Sequence, residues 1–186
     1  MRSLVAVLVA VGPAVTACAS SGPRPAPSVP AVDRVGTTVF PASQRRQVPD
    51  LVGTTIDGTR LNLGALAGHG VVVLNVWASW CAPCRSESRT LGTLSRQLAG
   101  RGVRFVGIDE QDSPEKAREF AARAGVEYPS LSDRDGRLLA QLSELPSTGI
   151  PSTLVVDRDG MIAGRIVGAV HGASLFRLIS RVDSGG

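Results

Sequence analysis

Apolar runs alternate along this chain with amphipathic stretches whose apolar positions recur every three or four residues. Val71-Val72-Val73-Leu74-Asn75-Val76-Trp77 is β-prone and almost wholly apolar, the pattern of a central strand covered on both faces. A helix is expected from Cys81 or Ala82 to about Gly100, with Cys84, Leu91, Leu94 and Leu98 on one face. Val103–Asp109 repeats the buried-strand pattern. Ser113-Pro114-Glu115 joins a capping hydroxyl, a proline at the first helical position and an acid in the first turn. The helix it opens aligns Ala117, Phe120, Ala121 and Ala124. Tyr128–Leu131 reads as a short strand and Arg137–Leu145 as a short helix. Thr153–Asp157 and Met161–Gly168 flank the turn Arg158-Asp159-Gly160, and Leu175, Leu178, Ile179 and Val182 stripe a last helix. Ahead of all these, Thr54–Leu61 reads as a hairpin with Asp57-Gly58 at its turn. The order β-β-β-α-β-α-β-α-β-β-α contains βαβ units and a terminal hairpin, so the class is α/β with a mixed central sheet flanked by helices. No internal repeat is visible. The Asp-Arg-Asp-Gly tetrapeptides at 133 and 157 are turn signals rather than calcium loops: Leu138 stands where the first would need glycine, and neither has the ligand set.

The chain ahead of the domain has a different character. Met1-Arg2-Ser3 is a short positive region, and Leu4–Val15 is apolar over about the length of a secretory core. Val15-Thr16-Ala17-Cys18 then resembles a bacterial lipobox, which implies cleavage before Cys18 and conversion of its thiol to a diacylglyceryl thioether. Plain secretion, with cleavage after Ala17 or Ala19, and an uncleaved anchor are the alternatives. Each puts the domain outside the cytoplasm, and the lipobox ties it to the bacterial cell membrane. Pro23, Pro25, Pro27, Pro30 and Pro41, mixed with Ser, Ala and Gly, suit an extended tether. The organisation expected is a signal over 1–17, a lipidated cysteine and linker over 18–47, and one domain over 48–186.

Of the 186 residues, 43% are hydrophobic and 19% charged, a globular balance. No apolar run reaches the ~18 residues a membrane span requires, which excludes a multispan protein. The formal charge is +4, yet Val48–Gly186 carries 15 basic and 15 acidic side chains. The excess lies in the leader and tether, so the charge makes no case for a nucleic-acid-binding domain.

Chemistry concentrates in Trp77-Ala78-Ser79-Trp80-Cys81-Ala82-Pro83-Cys84, at a strand-to-helix junction. Two cysteines flanking two residues in a first helical turn can close a disulfide with little backbone movement. Unpaired N–H groups and the helix dipole favour a thiolate at Cys81, while Cys84 falls one turn in on the buried face. This asymmetry suits dithiol exchange: Cys81 attacks, Cys84 resolves, and Trp80 covers the site. Rival readings are weaker. Zinc wants four ligands, and only Cys18, His69 and His171 remain, without paired spacing. A four-residue loop restricts the unfolded chain too little for a purely structural disulfide. A peroxiredoxin-like peroxidase would want Thr at position 78, which is Ala. A non-enzymatic binding lipoprotein would have no need of the pair. His69 and His171 sit beside glycines in turns, Trp77 reads as core, and no metal or organic cofactor is implied.

Trp80-Cys81-Ala82-Pro83-Cys84 after a valine-rich strand resembles thioredoxin. The N-terminal hairpin, the insert around Asp109–Tyr128 and Gly149-Ile150-Pro151-Ser152-Thr153 resemble the TlpA/ResA/CcmG branch of extracytoplasmic thiol–disulfide oxidoreductases, from Val48 to Val182. The resemblance implies a thioredoxin fold with a hairpin extension and a βα insert. It implies a cis-proline at Pro151, facing the cysteines and letting Ile150 present its backbone to a client peptide beside Trp80, Ala82 and Pro83. Asn75 falls where thioredoxins keep a buried, proton-shuttling Asp. Glu87, three residues after Cys84 and four before Leu91, lies on the inward helix face, where burial would raise its pKa. It matches a glutamate that tunes the cysteine pair in that branch. Arg89 replaces a helix-kinking proline. The implied activity is exchange with protein thiols and disulfides by a monomer, as a reductant in apocytochrome c maturation supplied by a CcdA/DsbD-type membrane thiol transporter. A disulfide-forming oxidase of secreted proteins is the alternative direction.

Overall fold

The computed structural model describes residues 31–32, 36–146 and 149–185. The signal region, Cys18 and the first part of the tether lie outside them. The strands are β1 (Ala31–Val32), β2 (Thr37–Val39), β3 (Arg46–Gln47), β4 (Val52–Thr54), β5 (Arg60–Asn62), β6 (Val71–Trp77), β7 (Val103–Glu110), β8 (Ser130–Asp133), β9 (Ser152–Val156) and β10 (Met161–Val167). The helices are α1 (Ala82–Ala99), α2 (Pro114–Ala124) and α3 (Gly172–Asp183). The main sheet runs β1-β2-β10-β9-β6-β7-β8, with β3 also on β10; β6, β7 and β8 are parallel neighbours, and β9 joins β6 antiparallel. This is a thioredoxin-like mixed sheet. The hairpin β4–β5 stands apart as a small second sheet.

β6 is buried at every position, as its sequence predicts. Its side chains divide by parity. Val72, Leu74 and Val76 face a core shared with Val106, Ile108 and Leu154, closed over by Leu51, Leu63, Leu139 and Leu142. Val71 and Val73 face the opposite core, where Leu91 and Leu98 of α1 meet Leu175, Leu178 and Val182 of α3. Trp77 continues that second face into a third cluster with Ala117 and Phe120 of α2 and both site cysteines. The three helices therefore share one side of the sheet, and α1 leaves the end of β6 already packed.

Two expectations are corrected. Residues 36–47 are not linker. β2 pairs with β10 through Thr37↔Ile166, Phe40 packs against the core, and Arg45 forms an ion pair with Asp157 at 3.0 Å. The free edge of β10 supplies hydrogen bonds that Pro-flanked segments do not advertise, so the domain starts well before Val48. The helix expected over Arg137–Leu145 is a single 3-10 turn, Leu139–Gln141. Asp133 draws the N–H groups of Leu138 and Leu139 to its carboxylate, and Pro146 follows at once. Both Asp-Arg-Asp-Gly tetrapeptides are turns, with Gly136 and Gly160 at φ +71° and +78°, values that glycine tolerates without strain.

Candidate active site

The chain after β6 turns sharply at Ala78-Ser79-Trp80 and enters α1 with Cys81 as its N-cap. Cys81 and Cys84 are joined by a disulfide with Cα atoms 5.3 Å apart. Cys81 Sγ accepts the Cys84 N–H at 3.2 Å, so the sulfur sits on the unpaired donors of the first turn. Pro83 stands in that turn, where no helical hydrogen bond is lost to it. Cys81 retains 4% of its surface and Cys84 none, while Ala82 and Pro83 are exposed. Trp80 is 56% exposed and donates its Nε1–H to the carbonyl of Gln111 at 3.3 Å. α1 runs unbroken through Arg89, which is exposed.

β9 brings the second wall. Its start pairs with the end of β6 through Ser152↔Val76, which sets Pro151 beside the strand leading to Cys81. The Ile150–Pro151 peptide is cis, and Ile150 packs on the cluster containing Trp77, Cys81 and Cys84. The Pro151 carbonyl accepts the Gly168 N–H at 2.9 Å, which ties this wall to the end of β10.

Glu87 lies under the pair, 2% exposed, on the buried stripe Cys84, Glu87, Ser88, Leu91. One carboxylate oxygen accepts from Asn75 Nδ2 at 3.0 Å and the other from the Val170 N–H at 2.5 Å. Burial pushes its pKa up to about 7, against the lowering effect of those two donors. Asn75 also donates toward Thr153 Oγ1 at 3.2 Å, so a core amide joins α1, β6 and β9. Thus Glu87 is not the exposed partner of Arg85 or Arg89.

Two features were not anticipated from the sequence. The first is that Asn75, Glu87 and Val170 form one buried network; they are 12 and 83 residues apart, beyond any local pattern. The second is Asp112, whose Oδ2 accepts the Ser79 N–H at 2.7 Å and clamps the turn before Cys81. Its neighbour Asp109 is fully buried. A hint existed in the unusual density of acids in Asp109-Glu110-Gln111-Asp112. His69 and His171 are exposed, and His171 is the N-cap of α3 without a side-chain cap bond. Among the described residues no cluster of His, Cys, Asp or Glu could hold a metal, and no helix is long and apolar enough to cross a membrane.

Comparison with known proteins agrees with this geometry. Residues 45–165 match the model of the AhpC/TSA family. The thiol-disulfide oxidoreductase ResA of Bacillus thuringiensis is 26% identical over 123 residues, which are 66% of this chain and 69% of that protein. The thiol:disulfide interchange protein DsbE of Escherichia coli is 40% identical over 101 residues, 54% of this chain and 51% of its own length. The crystal structure of a DsbF homologue from Corynebacterium diphtheriae superposes with a TM-score of 0.72 at 31% identity, covering 78% of this chain and 92% of that one. With its Cys-x-x-Cys disulfide at the helix N-terminus, the chain belongs to the AhpC/TSA family, as a thioredoxin-fold thiol–disulfide oxidoreductase of the ResA and DsbE type.

Proposed function

We propose that this oxidoreductase works outside the cytoplasm as a membrane-tethered reductant of protein disulfides. The observation that carries the reading is the asymmetry of the pair: Cys81 at the end of α1 on unpaired N–H groups, Cys84 enclosed beneath it. In the reduced protein the helix end holds Cys81 as a thiolate. That thiolate attacks one sulfur of a client disulfide, the client S–S bond breaks, and the departing client sulfur takes up a proton. Cys84 then loses its proton and attacks Cys81 Sγ; the mixed disulfide breaks and the second client sulfur leaves as a thiol. Two electrons and two protons pass to the client, and the Cys81–Cys84 disulfide is the product.

Glu87 is the buried carboxyl that manages the proton of Cys84, because a group with a pKa near 7 both accepts and releases one at neutral pH. Trp80, Ala82 and Pro83 form the exposed rim that a client strand meets, and Ile150 and Pro151 offer it backbone. The resemblance to the TlpA, ResA and CcmG branch favours apocytochrome c as client and a CcdA/DsbD-type thiol transporter as electron donor. Acylated Cys18 anchors the monomer, and the proline-rich chain up to about residue 30, ahead of β1, is the tether.

A trapping experiment tests this reading. Cys84→Ser expressed in a bacterial host leaves the mixed disulfide unresolved. Dithiothreitol-sensitive adducts of membrane-bound protein with extracytoplasmic clients are expected, apocytochrome c among them, and Cys18→Ala releases the protein from the membrane. Absence of adducts, or adducts formed equally by Cys81→Ser, contradicts it.

A further inference from the structure

We propose that Asp109 and Asp112 share one proton, and that this proton keeps the 111–113 loop clamped on the turn that carries Trp80 and Cys81. Asp109 is the end of the odd-numbered face of β7, in register with Trp77 of β6 and hence on the helix side of the sheet where the cysteines lie. Its carboxyl has no exposed surface, and neither oxygen has a hydrogen-bond donor among the described residues. What it does face is another acceptor, the carboxylate of Asp112, within hydrogen-bonding reach. Two carboxylates are acceptors only, so the contact becomes a bond when one of them carries a proton.

The surroundings say which one. Asp112 Oδ2 takes the Ser79 N–H at 2.7 Å and its Oδ1 takes the Ser113 N–H at 2.8 Å, at the start of α2. Both Asp112 oxygens are taken by N–H donors while neither Asp109 oxygen has one, so the proton stays on Asp109. The other acids nearby only reinforce this. Asp133 of β8 adds negative charge, and Glu110, next along β7, feels the same neighbour. From α2, Arg118 turns away to the Ile56 carbonyl and to Glu115, so that guanidinium does not neutralise the cluster. Burial first, then Asp112 and Asp133, push the Asp109 pKa up to about 8. Gln111, between the two acids, has φ +49°, the one non-glycine residue in the left-handed region among those described, and its carbonyl receives Trp80 Nε1. A backbone in this region is held there by its surroundings; here those are Asp112 on Ser79 and Trp80 on Gln111.

Asp109 is thus a positioning residue. While it is protonated, the turn ahead of Cys81 is held from behind. Once it ionises, two buried anions repel and the clamp on Ser79 loosens. The consequence for exchange rests on the function proposed above; the clamp itself does not. The test uses the oxidised full chain in detergent, where no Cys81 or Cys84 thiol titrates. The Ser79 amide resonance is followed by NMR from pH 5 to pH 10, together with the Asp109 carboxyl carbon. Both are expected to move together with a midpoint near 8, unchanged by Glu87→Gln. Asp109→Asn, whose amide can still donate to Asp112, is expected to abolish the Ser79 transition. A Ser79 transition that persists in Asp109→Asn overturns the proposal. So does an Asp109 carboxyl that titrates in the ordinary range near 4, a result read on the wild-type chain alone. None of these outcomes depends on the client or the direction of exchange.

Discussion

Cys81 and Cys84 differ in what surrounds them, and that difference makes predictions residue by residue. Reduced protein is expected to react with iodoacetamide at Cys81 far faster than at Cys84, because the first caps the helix end on its unpaired N–H donors while the second is enclosed; mass spectrometry of the labelled peptide reads the ratio. Glu87 contributes through its proton. In the oxidised protein it is largely protonated below pH 7 and ionised above. Glu87→Gln keeps the shape and removes that titration, so the inflection near pH 7 in the exchange-rate profile is expected to disappear. A profile identical to wild type would remove Glu87 from the mechanism. The spacing Cys84-x-x-Glu87-x-x-x-Leu91 makes its inward direction legible in the sequence. Its partners Asn75 and Val170 are not, because hydrogen bonds across 12 and 83 residues leave no periodic trace.

Among the elements, β6, α1, α2 and α3 are readable because burial on both faces, or on one stripe, is written into their composition. What escapes the sequence is pairing. The segment 36–47 looks like tether, since Pro41 and Arg45-Arg46 give it no apolar period, yet β10 binds it as an extra edge. A domain begun at Val48 therefore loses β2, Phe40 and the Arg45–Asp157 pair. It is expected to be less stable than one begun at residue 36 by about 2 kcal/mol or more, a Tm lower by roughly 4–8 °C; equal melting curves would contradict the corrected boundary. Tight packing also ties β7 to the site. Gly107 lies under Trp77, whose Nε1 donates to Ser130 Oγ at 3.3 Å. A methyl at 107 would push into both side chains. Gly107→Ala is expected to cost about 1–3 kcal/mol, measured by urea denaturation of the oxidised protein. The indole bond would be lost with it.

At the scale of the whole molecule, two buried acids on the helix side of the sheet set a pH dependence. Burial raises Glu87 from 4.5 to about 7 and Asp109 from 3.8 to about 8. Between those limits the folded protein binds more protons than the unfolded chain, so their contribution is complete at low pH and is lost as pH rises through the folded values. The Tm of the oxidised protein is expected to fall between pH 5 and pH 8.5, less steeply in Glu87→Gln; a Tm that rises over this interval would contradict the burial of both carboxyls. The central claim concerns the direction of electron flow, which turns on the free-energy gap between dithiol and disulfide rather than on the fold. The most direct test is the reduction potential of the Cys81/Cys84 pair, obtained by equilibrating the protein from residue 36 onward with glutathione or dithiothreitol buffers and counting labelled thiols. A value near or below about −240 mV, on the thioredoxin side of the range, is predicted for a reductant. A value near about −120 mV, that of a strong oxidase, would contradict it and make the protein a donor of disulfides to secreted clients.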